Sequence, residues 1–307
     1  MPLWRRTYAY LQLTRPANVV TAVADILAGF AASGAMLTLN RVSLTDWWGH
    51  PHAVNLGWLV LSTVGLYGGG IVFNDVFDAD LDRVERPERP IPRGDATVRG
   101  ASILAVVLLA IGVLAAAQAS TLSAVIALTV AALAVLYDAW GKHQRVLGPI
   151  NMGLCRGGNL LLGISAVPVA VSAVWFLSLV PIVYIAAITM ISRGEVHGGN
   201  RYALWGGVGM YTLVILGLLT VALALSVSVE VVIPFLLLLG YLIYPPLFRA
   251  LRENEPRYVG LAVKAGVLSL IVLNATLAAT FAGWAYGLAV LLLLPVSRGL
   301  ATRFAVT

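Results

Sequence analysis

Apolar runs about twenty residues long recur from one end of this chain to the other, and no other feature limits its fold so strongly. A helix needs roughly 20 apolar residues to cross a hydrocarbon core about 30 Å thick. Runs of that kind fall at about 17–38, 54–77, 98–118, 120–138, 147–166, 170–191, 205–227, 230–249, 262–280 and 282–299. They show no sustained apolar/polar alternation, so barrel strands are not expected. Helices, which satisfy their own backbone groups in lipid, are. The 307 residues are 60% hydrophobic and 11% charged, against about a quarter charged in soluble domains. The expectation is a single all-α domain over 1–307, a polytopic transmembrane bundle of nine to ten helices. The uncertainty between nine and ten lies at Ala282-Gly283-Trp284, the only residues separating the last two runs.

The basic residues orient the bundle. With ten alternating spans and a cytoplasmic N-terminus, Arg5, Arg6, Arg15, the arginines from Arg83 to Arg99, Lys142, Arg145, Arg193, Arg201, Arg249, Arg252, Arg257, Lys264, Arg298 and Arg303 all lie inside. Only Arg41 falls outside, and Arg156 falls within a span. This asymmetry is what the positive-inside rule describes. The net charge of +6 is then accounted for by topology and by anionic headgroups, with the lipid bilayer as partner and no nucleic acid required. The lone Cys155 excludes an internal disulfide. The basic, aromatic start and long first run read as a retained span rather than a cleaved leader.

Chemistry concentrates at the end of the second run, Asn74-Asp75-Val76-Phe77-Asp78-Ala79-Asp80-Leu81-Asp82. On a helix Asp75, Asp78 and Asp82 share a face, and Asn74 flanks Asp78. Stacked carboxylates beside a membrane repel and are costly to desolvate, so a compensating cation is expected. Oxygen ligands suit Mg²⁺, which binds through one or two carboxylates together with substrate phosphates. The glycine and terminal glutamate of a calcium loop are missing. Just downstream, Arg83-Val84-Glu85-Arg86-Pro87-Glu88-Arg89-Pro90-Ile91-Pro92-Arg93-Gly94 predicts a stiff, extended loop. Its arginine forks match phosphate oxygens.

The pattern Asn-Asp-x-x-Asp-x-x-x-Asp followed by Arg-Pro-x-Arg-Pro-Ile-Pro-x-Gly resembles the first aspartate-rich motif of the UbiA prenyltransferase superfamily. Arg15-Pro16-Ala17-Asn18 is similar to the family's early Arg-Pro-x-Asn, and Tyr137, Lys142, Gly148, Asn151 and Arg156 to its central stretch. The resemblance implies a central cavity open to the cytoplasm of a multi-pass protein, here of a bacterial inner membrane. It also implies Mg²⁺-dependent transfer of an isoprenyl group from a prenyl diphosphate to an acceptor that it leaves unidentified. It assigns metal binding to Asn74, Asp75, Asp78, Asp82 and Glu195, and diphosphate binding to Asn18, Arg86, Lys142, Arg145 and Arg156. Asp78, Asp82, Lys142 and Glu195 are the expected catalytic set.

The chain departs from the family where a second acidic motif belongs. Ser192-Arg193-Gly194-Glu195-Val196-His197-Gly198-Gly199-Asn200-Arg201 holds one carboxylate and no aspartate. Glu195 is the remaining candidate ligand, and His197 is either a ligand, a base or a loop residue without a role. This stretch resembles a divergent UbiA-like branch found with the bacterial ebo gene cluster. The departure keeps an alternative open, a non-catalytic relative that binds a prenyl lipid or assists metabolite export. Asp25 and Arg156, charges inside predicted spans, are expected to pair or to line a cavity.

Overall fold

The computed structural model describes residues 3–144, 146–192 and 200–304, and among them every regular element is helical. The order is α1 (Leu3–Leu13), α2 (Pro16–Ala32), the short α3 (Ala35–Leu39) and α4 (Leu44–Trp47), α5 (Pro51–Phe77), α6 (Ala79–Glu85), α7 (Val98–Ala119) and α8 (Thr121–Ala139). A 3₁₀ turn at Gly141–His143 precedes α9 (Leu147–Ile164), α10 (Pro168–Val174), α11 (Leu179–Ser192), α12 (Arg201–Ala224), α13 (Val229–Glu253), α14 (Pro256–Ala282), α15 (Trp284–Leu291) and α16 (Leu293–Ala301).

The protein is a multi-pass integral membrane protein. Eight segments are long and apolar enough to cross a bilayer: α5, α7, α8, Pro168–Ser192, α12, α13, α14 and Trp284–Ala301. The other two expected spans are also helices, but α2 has only 17 residues, and α9, a continuous helix whose apolar run is interrupted by Asn151, Arg156 and Asn159, is not among the eight. Gly283, at φ 87°, separates α14 from α15, so the narrow break expected there is real. Large apolar side chains such as Leu114, Leu128 and Leu237 stand exposed on the outer faces, as lipid contact requires.

Local chemistry sets the helix ends. Proline fills the first position of α2, α5 and α14, where its missing N–H costs nothing. Ser120 ends α7 and caps α8 by accepting the Ser123 N–H at 3.0 Å, which allows a one-residue connection. Thr97 caps α7 the same way through the Gly100 N–H at 3.1 Å.

Two apolar clusters share α2 and α9. Ala24, Ala28, Leu160 and Ile164 pack against α11 to α15, while Ile26, Phe30 and Leu162 pack against α5, α7 and α8. The two shared helices can cross closely because glycine lies at the contact: a Cβ on Gly163 would stand 2.5 Å from the Ile26 carbonyl oxygen. A third, smaller cluster holds Leu13, Val72, Ala79, Ile91, Ala96, Ala101 and Ala105. It pins the proline-rich loop against the ends of α1, α5 and α7. That loop is not extended as expected. It folds into consecutive turns, with Arg93 N–H to Arg89 O at 3.0 Å and Ala96 N–H to Pro90 O at 3.1 Å, because buried Ile91 and Ala96 draw it back onto the bundle.

Candidate functional site

The acidic segment is a bent helix end. α5 stops at Phe77, Asp78 sits at φ −89° and ψ 2°, and α6 begins at Ala79. Backbone bonding continues through the bend, from Asp78 N–H to Asn74 O at 3.0 Å and from Asp82 N–H to Asp78 O at 2.8 Å. Asp75 and Asp82 therefore stay on one face. Both are buried, and Arg89 reaches both, Asp82 at 2.7 Å and Asp75 at 3.3 Å. Asp80 points away and pairs at the surface with Arg83.

Buried Asp75 and Asp82 and half-buried Asp78 meet cations from different parts of the chain. Arg15, at the α1–α2 junction, donates to Asp75 at 2.7 Å. Its backbone is left-handed, at φ 43°, a conformation that costs an ordinary residue about 1–2 kcal/mol. Lys142, on the 3₁₀ turn after α8, reaches Asp78 at 2.5 Å and lies 5.9 Å from the Phe77 ring centre. A further buried carboxylate, Asp138 on the last turn of α8, accepts a hydrogen bond from Asn74 Nδ2 at 3.1 Å. At formal charges the four acids Asp75, Asp78, Asp82 and Asp138 (−4) and the three cations Arg15, Arg89 and Lys142 (+3) leave −1.

The donor set fits Mg²⁺ in kind, since carboxylate and amide oxygens are what a hard divalent cation takes. Among the described residues no three Asp, Glu, His or Cys side chains converge into a closed cage. Mg²⁺ does not need one, because substrate phosphates and waters complete its shell. The arginines and the lysine hold most of the carboxylate oxygens, and the net −1 that remains at formal charges favours a further cation.

A second polar group lies deeper. The eight residues from Asp75 back to Tyr67 on α5 span about 12 Å of helix, and the Tyr67 ring lies 5.1 Å from the Arg156 guanidinium carbon. Arg156 and Asp25, both buried, approach to 3.1 Å. Asp25 also accepts from Asn159 at 2.9 Å and from Asn274 at 2.6 Å, and Arg156 donates to the Thr21 hydroxyl at 3.1 Å. Thr63 of α5 closes the group on Asn159 at 2.7 Å. Four helices, α2, α5, α9 and α14, are thus joined inside the bundle.

Of the residues expected from sequence, Asn74, Asp75, Asp78, Asp82 and Lys142 come together at this end. Arg156 does not join them, being held by Asp25. Asn18 is buried on α2, one turn from Arg15. Arg86 is half-buried at the end of α6 and makes no ion pair among the described residues. Glu195, Arg145 and His197 lie outside the described residues. Sequence reasoning passed over Arg15, Arg89 and Asp138 as site residues. Asp138 carried a signal, a lone acid in the last turn of an apolar run, four residues before Lys142.

Comparison with known proteins gives a consistent picture. Residues 43–252 match the model of the UbiA prenyltransferase family. The chain is 34% identical over 185 residues to digeranylgeranylglyceryl phosphate synthase of Methanothrix thermoacetophila, covering 60% of this chain and 61% of that protein. It is 32% identical over 155 residues to the synthase of the same name from Methanoculleus marisnigri, covering half of each. The aligned part thus spans half to three-fifths of those relatives' length. Among solved structures, a UbiA homologue from Aeropyrum pernix superposes with a TM-score of 0.63 at 17% identity, over 82% of this chain and 96% of that one. A UbiA homologue from Archaeoglobus fulgidus bound to GPP and Mg²⁺ gives 0.57 at 18% identity, over 92% and 99%.

Proposed function

This chain belongs to the UbiA prenyltransferase family, and on that premise we propose that it transfers an isoprenyl group from a prenyl diphosphate to an acceptor inside the membrane, with Mg²⁺ as cofactor. The observation that carries the reading is the set of buried Asp75 and Asp82 and half-buried Asp78 at one helix end, each countered by Arg15, Arg89 or Lys142. Carboxylates for a metal stand beside cations for phosphate, as a diphosphate substrate needs. The A. fulgidus homologue, bound to GPP and Mg²⁺, supports the same ligand pair here.

Asn74, Asp75, Asp78 and Asp82 would hold the metal, with Glu195 as a further carboxylate. Bound Mg²⁺ supplies neutralisation of charge on the diphosphate leaving group. Lys142, paired with Asp78 in this structure, would donate to a diphosphate oxygen and stabilise the negative charge that grows there as the C–O bond breaks. Arg86, which makes no ion pair among the described residues, would add a second donor, and Asn18 and Arg145 belong to the same binding set. The helical walls keep water from the allylic cation that forms. The N-terminus and the site end are assigned to the cytoplasmic side of a bacterial inner membrane, on the strength of the basic residues gathered there.

The test uses the full chain in nanodiscs with Mg²⁺ and prenyl diphosphates of several lengths. Binding and diphosphate release are measured for the wild type and for Asp78→Asn. Magnesium-dependent binding that Asp78→Asn loses is the expected result. No magnesium-dependent binding at any chain length would overturn the reading. Binding without release, whatever acceptor is offered, would favour the lipid-binding alternative.

A further inference from the structure

We infer that Asp138 is a positioning residue for the metal site: its carboxylate holds the Asn74 side-chain amide so that the amide oxygen is turned toward the cation. The inference rests on the proposed function above. Its basis is geometric. Asn74 Nδ2 donates to Asp138 Oδ1 at 3.1 Å. A carboxylate can only accept, so the nitrogen faces Asp138 and the oxygen of the same planar amide faces away. Without such a partner the two ends of the amide are close to interchangeable, and half of the orientations would present N–H groups to a metal.

The contact is one of a pair. Asn74 and Asp78 are four residues apart on the α5 end, and Asp138 and Lys142 are four apart on the segment that ends α8. Asn74 meets Asp138 and Asp78 meets Lys142, at 3.1 and 2.5 Å. The two helix ends are therefore clamped in register, with one rung orienting an amide and the other neutralising an acid.

Asp138 occupies a costly place for an acid. It is 4% exposed, and it sits at the negative end of its helix dipole. Asn74 Nδ2 and the nearby lysine compensate locally. An apolar residue would pack there at no electrostatic cost, so stability does not account for the acid, whereas orienting a ligand does. Outer carboxylates that orient a metal's direct ligands have this role in metal sites generally.

The test is a Mn²⁺ titration of full-length protein in nanodiscs, with free Mn²⁺ read by EPR and an unreactive prenyl thiodiphosphate present. Wild type, Asp138→Ala, Asn74→Ala and the double variant form a cycle. Asp138→Ala is expected to weaken Mn²⁺ binding about 10- to 100-fold, while thermal unfolding without metal is not lowered. In the Asn74→Ala background the same change should cost nothing further, because Asp138 acts through Asn74. Asp138→Asn keeps an acceptor for the amide and should lose less. Its loss should likewise vanish without Asn74, which carries the test if Asp138→Ala does not fold. Unchanged Mn²⁺ affinity in Asp138→Ala would overturn the assignment. So would losses from Asp138→Ala and Asn74→Ala that add in full, which would make Asp138 an independent ligand. A wild type that binds no Mn²⁺ would instead remove the proposed function itself.

Discussion

Breaking the Asp25–Arg156 pair tests whether the deep polar group holds the bundle together. Asp25 is fully buried and takes Arg156 at 3.1 Å, Asn159 at 2.9 Å and Asn274 at 2.6 Å, so one acid ties α2 to α9 and α14. Asp25→Leu leaves the Arg156 guanidinium buried with Thr21 and the Tyr67 face as its remaining partners among the described residues. Removing one member of a buried pair costs about 3–5 kcal/mol. At about 2–4 °C per kcal/mol for a chain of this size, the apparent Tm should fall by roughly 6–20 °C. Arg156→Leu should cost a comparable amount, since it strands the acid. The double change removes both charges, and well-packed apolar replacements of buried pairs are often neutral or better. Asp25→Leu/Arg156→Leu should therefore regain most of the lost stability. The assay is tryptophan-monitored thermal unfolding of purified protein in one detergent, at matched scan rates. Single variants within about 0.5 kcal/mol of wild type would refute the reasoning, since that is the range of changes away from special features. A double variant no more stable than either single one would refute the pairwise account, because the cost would then come from packing rather than from stranded charge.

Further outcomes follow from the acidic helix end and from the α5–α7 contact. Arg89→Gln should lower the metal-free Tm, because Arg89 bridges Asp75 and Asp82, and added Mg²⁺ should recover part of the loss. Arg86→Gln, which touches no ion pair among the described residues, should leave that Tm unchanged but weaken diphosphate binding, both checked on the same protein by unfolding scans and binding isotherms. In the α5–α7 contact, a Cβ on Gly65 would stand 2.5 Å from the Leu108 carbonyl oxygen, while one on Gly57 meets nothing within 4 Å. Gly65→Val should thus cost about 1–3 kcal/mol, and Gly57→Ala should be neutral or slightly stabilising, read as opposite shifts in unfolding temperature.

What the sequence displayed, and what it hid, divides along a physical line. A span is a property of one stretch of chain, so helix lies wherever an apolar run was read, and eight of those stretches are long and apolar enough to cross a bilayer. The two that fail as simple spans, α2 and α9, are those whose charged and amide residues meet in the centre. Acidic and amide side chains on one helix end are local too, and Asn74, Asp75, Asp78 and Asp82 lie together at the end of α5 and the start of α6. Counter-ions are chosen in three dimensions. Arg86 and Arg89 both precede prolines in one loop and look equivalent in a string of letters. What separates them is the burial of Ile91 and Ala96, which folds the loop into turns and brings Arg89 over the acids. Asp138 was hidden for the same reason, since its meaning depends on a partner from another helix. The acids can therefore be read from sequence, whereas the cations that hold them depend in part on how a small apolar cluster seats a loop. Changes at Ile91 or Ala96, which carry no charge themselves, should then alter the charge balance of the site as surely as changes to an arginine.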